Sequence, residues 1–414
     1  MVKVIESNGR DARHPGARRV VYVHDSHDFG GMELYLLRLM RHLDRARYEP
    51  AVLVPGYTDA FRSSPQRVMA EVQATGVPLL RPPDPGTLRG VSTAKELYHT
   101  ARLLRTHGTD IVHIHTCRPE GARKVTFAAR LAGVAGLLRT EHFPPSVTSR
   151  PSSPYLVKPL DWLTDYIVTG SEGDRQEQIN LLKRPPEKVY RSYNSVELEQ
   201  FEPDHDARAA KGRLGLDPDA PVVCNVGRLV IQKGQVYLIE AMAQVIQRYG
   251  PVNLLFVGDG ELGPELRARA IALNIADHVH FVGFQDDVVP YMQATDVAAM
   301  PSLWEVFSLA MLEFMALGKA VVASNHSSFL EAITDGKNGL IVPMKDSKGL
   351  AEAILRLLED EALRARLGQA GLKRVRAHFG LERLASDMMG LYDRVLAEKN
   401  AHVLNHGERT NFRT

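Results

Sequence analysis

Two glutamates, Glu305 and Glu313, lie eight positions apart in PSLWEVFSLAMLEFMALGKAVVAS, residues Pro301 to Ser324. A β-branched run ends at Met300 and Pro301 interrupts it, so a helix is expected to begin near Phe307. This puts Glu305 in the loop at a strand's carboxyl end and Glu313 about two turns along the helix. The N–H groups of Phe307, Ser308 and Leu309 would then lack intrahelical partners and suit an anionic phosphate. The carboxylates would have separate tasks, one reaching a sugar hydroxyl and the other accepting both hydroxyls of a ribose. The plainer alternative is that Glu313 is a buried polar residue among Leu312, Phe314 and Met315. A carboxylate in such surroundings needs partners, which favours the functional reading.

Two cations extend this chemistry. Gly227 follows an apolar strand, so Arg228 projects from the strand's carboxyl end and Lys233 follows in the next loop. Paired cations there suit a diphosphate leaving group, whose charge grows as a glycosidic bond breaks. Incidental charges on a solvated loop are the alternative. Gly30 and Gly31 follow strand Val20–His24 and precede a helix, where they let backbone approach a phosphate closely. Any tight turn would want them equally. His142 follows Glu141 at the end of strand Leu137–Glu141, ahead of Pro144 and Pro145. His113 and His115 alternate on a strand and share a face; they read as structural, with His115 nearer the rim. Neither pair has a third partner at metal-ligand spacing, so no metal is expected.

The elements that must position these residues alternate along the whole chain, as in parallel sheets with crossover helices. The first series of strands is Val20–His24, Ala51–Val54, Val77–Leu80, Ile111–His115, Leu137–Glu141, Tyr166–Thr169 and Val189–Tyr193. Helices are expected between them, among them Met32–Leu43, Lys95–His107, Arg123–Ala132 and Asp174–Leu182. From Glu197 to Pro221 the sequence is charged and proline-bearing, and it reads as an interdomain linker with a short helical stretch near Ala207–Leu214. The second series is Val222–Val226, Leu254–Val257, Val279–Val282, Val297–Met300, Ala320–Ala323 and Leu340–Val342. Two helices, about Glu361–Ala377 and Leu381–Glu398, close it. The expected organisation is a leader 1–19, an α/β domain 20–196, a linker 197–221, a second α/β domain 222–380, a helix 381–398 and a flexible tail 399–414. Two doubly wound, Rossmann-like domains bind ligands beyond their strands' carboxyl ends, and a crevice between them is the natural site.

Composition bounds the partners. The chain has 414 residues, 44% hydrophobic and 24% charged, with a formal charge of +2, which argues against nucleic acid as the main partner. Its two cysteines, Cys117 and Cys224, make neither a disulfide framework nor a zinc site, so a cytoplasmic location is expected. No apolar run reaches membrane-spanning length. The helix Met32–Leu43 bears Arg38 and Arg41, with Arg45 just beyond, beside a leucine-rich face. It would suit peripheral contact with an anionic membrane, although an ordinary half-buried helix explains it better.

The segment around Glu305 and Glu313 resembles the E-x7-E motif of retaining glycosyltransferases of family four, which have the GT-B fold. CNVGRLVIQKGQVYLIEA resembles that family's G-R-L…K-G segment, and LLFVGDGELGPEL and VHFVGFQDDVVPYMQATDVAAMPS resemble the stretch after it. FGGMELYLLRL is similar to its Gly-Gly loop, DIVHIHT and RTEH to its histidine-bearing strand ends, and VTGSEG and YNSVE to further loops. The resemblance runs from about Val20 to Val395. It departs at Val306 and Ser308, where the family usually has glycine, and at Ser195 after Asn194. Fewer glycines crowd the backbone beside the sugar.

The resemblance implies two Rossmann-like domains facing across a cleft, with the last helix packing back on the first. It implies a nucleotide-diphosphate sugar as co-substrate, no cofactor, and transfer of a hexose-type sugar to a glycan, lipid-linked or small-molecule acceptor with retention of configuration. Glu313 would hold the ribose, backbone near Phe284 the base, Arg228 and Lys233 the diphosphate, and Glu305 and His142 the sugar ring. Acceptor contacts would fall in loops such as Pro82–Gly90 and Pro144–Pro154.

One motif points elsewhere. GDGELG, Gly258 to Gly263, is G-x-G-x-x-G between a strand and a helix, with Asp286 after the next strand. That pattern is the dinucleotide fingerprint of an NAD-dependent oxidoreductase. The fingerprint normally opens its domain, whereas here Val222–Val226 and its GRL come first, and the rival leaves both glutamates without a task. A catalytically silent sugar-nucleotide binder is a further alternative, kept open by Val306 and Ser308; a sugar-nucleotide epimerase or a phosphorylase on the same fold is another.

Overall fold

The computed structural model describes residues 16–25, 31–54, 71–72, 74–82, 93–148, 153–202 and 206–410. The chain divides into two compact units: unit 1 is Met1–Tyr193 with Glu382–Thr414, and unit 2 is Asn194–Leu381. Each is a parallel sheet with helical crossovers.

In unit 1 the strands are β1 (Arg18–Asp25), β2 (Tyr48–Leu53), β3 (Leu79–Leu80), β4 (Ile111–Thr116), β5 (Gly136–Glu141), β6 (Tyr166–Thr169) and β7 (Val189–Arg191). Their order in the sheet is β3-β2-β1-β4-β5-β6-β7. Every pair is parallel. Central strands such as β4 and β5 are buried along their whole length, their histidines, threonines, Arg139 and Glu141 included.

Unit 2 contains β8 (Val222–Val226), β9 (Asn253–Val257), β10 (Val279–Gly283), β11 (Val297–Met300), β12 (Ala320–Ser324) and β13 (Leu340–Val342). They run β10-β9-β8-β11-β12-β13, again all parallel. The strand order reverses between β8 and β11. Ligands of doubly wound sheets sit beyond the carboxyl ends of the strands at such a point. Gly227, Arg228 and Lys233 follow β8, and Glu305 follows β11, so the chain delivers its cations and its first glutamate to one switch point.

Several elements differ from the sequence-based expectation. Residues 197–221, a linker by composition, belong to unit 2. Asp206 caps helix Ala207–Arg213. Lys211, buried despite its charge, pairs with Asp296 at 2.7 Å, and Asp296 also accepts from the Val222 N–H at 2.8 Å. Prolines and charges mark this stretch as solvated, whereas one buried ion pair fastens it to the start of β8. The expected strand Val77–Leu80 shrinks to two residues. The helix expected over Met32–Leu43 runs Gly31–His42 and buries Arg38 along with its leucines. Arg41 pairs with Glu71 at 3.2 Å, so this is not a free basic face.

The final helix runs Leu381–Thr410, past the expected end at 398 and through most of the expected tail. From Glu382 onward it belongs to unit 1. Leu384, Met388, Leu391 and Val395 are buried. Gly136 admits this close approach, because a Cβ there would lie 2.8 Å from Val395 Cγ1. The Tyr392 hydroxyl bonds the Tyr22 hydroxyl at 3.0 Å and His113 Nδ1 at 2.7 Å. Tyr166 donates to Glu398 Oε1 at 2.8 Å.

Candidate active site

In unit 2 the loop after β8 turns through Gly227, a short 3-10 turn Ile231–Lys233 and the left-handed Gly234 before helix Gln235–Tyr249. Gly234 has φ +63°, and a Cβ there would sit 2.2 Å from the Pro301 carbonyl oxygen. The absence of a side chain thus lets this loop lie directly against the one that follows β11. Two hydrogen bonds hold them together: Leu303 N–H to the Gln232 carbonyl at 2.7 Å, and Gln232 Nε2 to the Trp304 carbonyl at 3.2 Å.

Across that contact Lys233 Nζ meets Glu305 Oε1 at 2.5 Å. Ser302 Oγ donates to the same carboxylate oxygen at 2.9 Å, and Gln232 Nε2 donates to Oε2 at 3.3 Å. Ser302 is itself held, its carbonyl accepting from Ser324 Oγ at 2.5 Å. Glu305 is buried, and Lys233 keeps 14% of its side-chain surface exposed. Glu305 is therefore a fixed carboxylate orienting a partly open ammonium group. Gly227 lies beneath the lysine, where a Cβ would come within 3.2 Å of Lys233 Cε. Arg228, the second cation, leaves the same loop two residues beyond β8.

The helix carrying Glu313 begins at Leu309, two residues past Phe307. Ser308 is its N-cap, with Oγ accepting from the Met311 N–H at 3.3 Å. Serine in place of the family's glycine thus has a local reason, since it satisfies one of the free donors of the helix start. The helix-start donors left for a phosphate are those of Ser308, Leu309 and Ala310. Phe307 stands before the cap; its carbonyl accepts from Asn194 Nδ2 at 2.7 Å and its ring packs 5.2 Å from Phe379. This makes Phe307 an anchor of the loop. Glu313 is buried in the second turn.

The Gly258–Gly263 motif is accounted for by packing. A Cβ at Gly258 would lie 2.2 Å from the Gly227 carbonyl oxygen, and one at Gly260 2.4 Å from the Leu229 carbonyl oxygen. Backbone bonds join the loops, from Leu229 N–H to the Asp259 carbonyl at 2.9 Å and from Leu262 N–H to the Leu229 carbonyl at 3.0 Å. These glycines admit the Arg228 loop, whose backbone fills the space a side chain would take. The oxidoreductase alternative loses its main support. Phe284, expected beside the base, follows Gly283 and is exposed.

In unit 1, Gly30 and residues 83–92 and 149–152 lie outside the described residues. Gly31 is the exposed first residue of its helix. His142 follows β5 and keeps some solvent access. Its Nε2 lies 3.0 Å from His115 Nδ1, and the two rings stack at 5.3 Å. Tyr35 sets its ring edge-on to His142 at 5.4 Å, and His24 pairs with Glu33 nearby. Glu141, just before His142, is clamped by Arg184 through bonds of 2.8 and 2.9 Å. Burial alone would raise the Glu141 carboxyl; the Arg184 guanidinium overrides this and holds it below its usual range. Sequence reasoning does not single out Ser302, Gln232, Glu33 or His24. The one available signal for Glu33 is a lone carboxylate in the first turn of a helix otherwise made of apolar and basic residues.

Burial lowers His113 to about 3, with the neighbouring His142 adding to the effect, and pushes His115 well below its usual value. Between pH 6.5 and 4.5 the unfolded chain therefore binds protons that these folded rings refuse, and stability falls as pH falls. Each ring contributes a slope of about 1.4 kcal/mol per pH unit in this window. Denaturation midpoints across the window should show the loss, and His113→Phe should flatten it by about one ring's share. A profile flat in the wild type would contradict the burial of neutral rings.

Among the described residues no group of three or more His, Cys, Asp or Glu is placed to hold a metal, and no helix is long and apolar enough to cross a membrane.

Residues 206–374 match the family model described as glycosyl transferases group 1, and residues 29–200 match the one described as Glycosyltransferase Family 4. The UDP-Gal:alpha-D-GlcNAc-diphosphoundecaprenol alpha-1,3-galactosyltransferase of Escherichia coli is 30% identical over 282 residues, covering 66% of this chain and 72% of that one. This chain belongs to the family-four glycosyltransferases. It is also similar to the lipopolysaccharide core biosynthesis glycosyltransferase LpsE of Rhizobium meliloti, 36% identical over 181 residues. That match covers 44% of this chain and spans about half the relative's length, 52%. The Anabaena protein HepE, solved in complex with UDP-glucose, superposes with a TM-score of 0.77 at 21% identity, covering 91% of this chain and 99% of that one. The shared fold is GT-B, with both Rossmann-like sheets represented in this family member.

Proposed function

We propose that this glycosyltransferase moves a hexose-type sugar from a nucleotide-diphosphate sugar to a hydroxyl of a glycan, lipid-linked or small-molecule acceptor, with retention of configuration and without a metal. The observation that carries this reading is the Lys233–Glu305 pair at the switch point of unit 2, next to the start of the Glu313 helix. Lys233 and Arg228 neutralise the departing diphosphate, whose charge is greatest in the transition state. The N–H groups of Ser308, Leu309 and Ala310 add to that field. Glu313 accepts from the ribose hydroxyls, and the backbone near Phe284 meets the base. Glu305 reaches the sugar with whatever acceptor capacity Lys233, Ser302 and Gln232 leave it. His142 is assigned to the sugar, and Gly30 and Gly31 to the phosphates, as the family resemblance implies.

Glu305 is engaged by three donors and is poorly placed to attack as a nucleophile, which supports a front-face displacement. In that mechanism the acceptor oxygen bonds to the anomeric carbon on the face the diphosphate leaves. The acceptor's proton passes to the departing phosphate oxygen. UDP is the favoured nucleotide, because the names of the Escherichia coli relative and the HepE complex both carry it. A cytoplasmic location, with or without peripheral contact at the membrane face, fits a sugar-nucleotide substrate.

A thermal-shift panel of UDP-, GDP- and ADP-sugars alongside NAD tests the reading. One sugar-nucleotide class should stabilise the protein, by about 2.7 kcal/mol at a hundredfold excess over its dissociation constant. Stabilisation by NAD alone would overturn it. Slow hydrolysis of the stabilising donor separates an enzyme from a silent binder.

A further inference from the structure

The histidines of unit 1 are not equivalent. His113 is fully buried with both ring nitrogens engaged, Nδ1 by the Tyr392 hydroxyl and Nε2 by Thr140 Oγ1, each at 2.7 Å. His115 is equally buried, but only its Nδ1 is engaged, by His142 Nε2 at 3.0 Å. Its Nε2 has no hydrogen-bond partner among the described residues. Around this pair stand His113 on β4, His24 and Tyr22 on β1, and Glu33 and Tyr35 on helix Gly31–His42.

One proton occupies the His115–His142 hydrogen bond, and it has two places to sit. If it belonged to His142 Nε2, His115 would carry its own proton on Nε2, a buried N–H with no acceptor. If it belongs to His115 Nδ1, the buried Nε2 presents only a lone pair. Orphaned buried N–H groups are the rarer and costlier defect. The second arrangement leaves His142 Nε2 accepting and moves the His142 proton to Nδ1, the nitrogen that makes no bond among the described residues.

We infer that His115 is a positioning residue that fixes His142 as the Nδ1–H tautomer, so that His142 offers a neutral donor to an oxygen of the transferred sugar. The inference rests on the proposed role of His142 in sugar binding and adds what that role requires: the bound atom is a hydrogen-bond acceptor, and His142 is not a base. Burial, with His24 adding to it, lowers His142 to about 3 although Glu33 opposes the shift, so the ring stays neutral through the working range. Flanking histidines add to burial in keeping His115 neutral as well.

Nitrogen-15 spectra of the full chain, labelled at histidine, read the tautomer directly near pH 7.5. His142, assigned by the signals lost in His142→Gln, should show a protonated Nδ1 and a bare Nε2; a protonated Nε2 would overturn the inference. His115→Leu removes the donor and should lower kcat about tenfold with little change in donor KM. His115→Asn keeps an N–H near the Nδ1 position and should stay within about threefold of wild type. A Leu variant as fast as wild type, or an Asn variant as slow as Leu, would also overturn it. Should the wild type transfer no sugar from any donor, the functional reading fails, and the wild-type spectrum still decides the tautomer.

Discussion

Lys233→Ala is expected to lower turnover by about two to three orders of magnitude, the loss typical when a preorganised charge-stabilising group is removed. The lysine emerges from the loop after β8, over Gly227, and Glu305 holds its ammonium at 2.5 Å. A charge fixed before the reaction needs no reorganisation as the diphosphate departs, so its removal should appear in kcat more than in donor KM. The same variant strips a buried carboxylate of its cation and leaves it with the neutral donors Ser302 and Gln232. The midpoint of unfolding should therefore fall too, and adding Glu305→Gln to Lys233→Ala should recover stability without recovering turnover. Steady-state kinetics with denaturation curves separate the two losses. Wild-type kcat in Lys233→Ala would remove the lysine from the reaction.

Glu313→Ala is expected to weaken donor binding about a hundredfold with a smaller change in kcat. A carboxylate accepting from both ribose hydroxyls makes two charge-assisted bonds, each worth about 1.5–3 kcal/mol, and part of that is recovered by water. Glu313 sits in the second turn of a helix whose first free donors face the same end of the sheet. The ribose persists unchanged through the reaction, so its contacts act on ground and transition states alike. Titration calorimetry with the nucleoside diphosphate alone reads this role without turnover. Equal affinity in wild type and variant would reduce Glu313 to a buried structural residue.

Much of this architecture is legible in the sequence. Apolar runs as continuous as LLFV or VAAM have one comfortable home, a strand covered on both faces, and their alternation with helices leaves parallel sheets as the outcome. The order of elements also places Arg228, Lys233 and Glu305 at strand ends. What each side chain touches is not legible there. Glu305 reads as a sugar ligand by type, yet Lys233, Ser302 and Gln232 already claim its oxygens. Ser308 reads as crowding by comparison with glycine, yet its hydroxyl caps the helix that begins at Leu309. The glycines of GDGELG read as a phosphate cradle and instead accommodate the backbone of Leu229 and Gly227. Residues 197–221 read as a linker because Lys211 looks solvated until Asp296 is placed beside it. For Lys211, the GDGELG glycines and the Lys233 and Gln232 partners of Glu305 a long-range contact decides the role, and composition or local spacing carries no record of it.

The central claim is that the Lys233–Glu305 loop pair in unit 2 activates a nucleotide-diphosphate sugar. Release of nucleoside diphosphate by the full chain, from a panel of sugar nucleotides without acceptor, tests it most directly. The account predicts slow release from one donor class by the wild type and its near-complete loss in Lys233→Ala. Equal release by both proteins would contradict it.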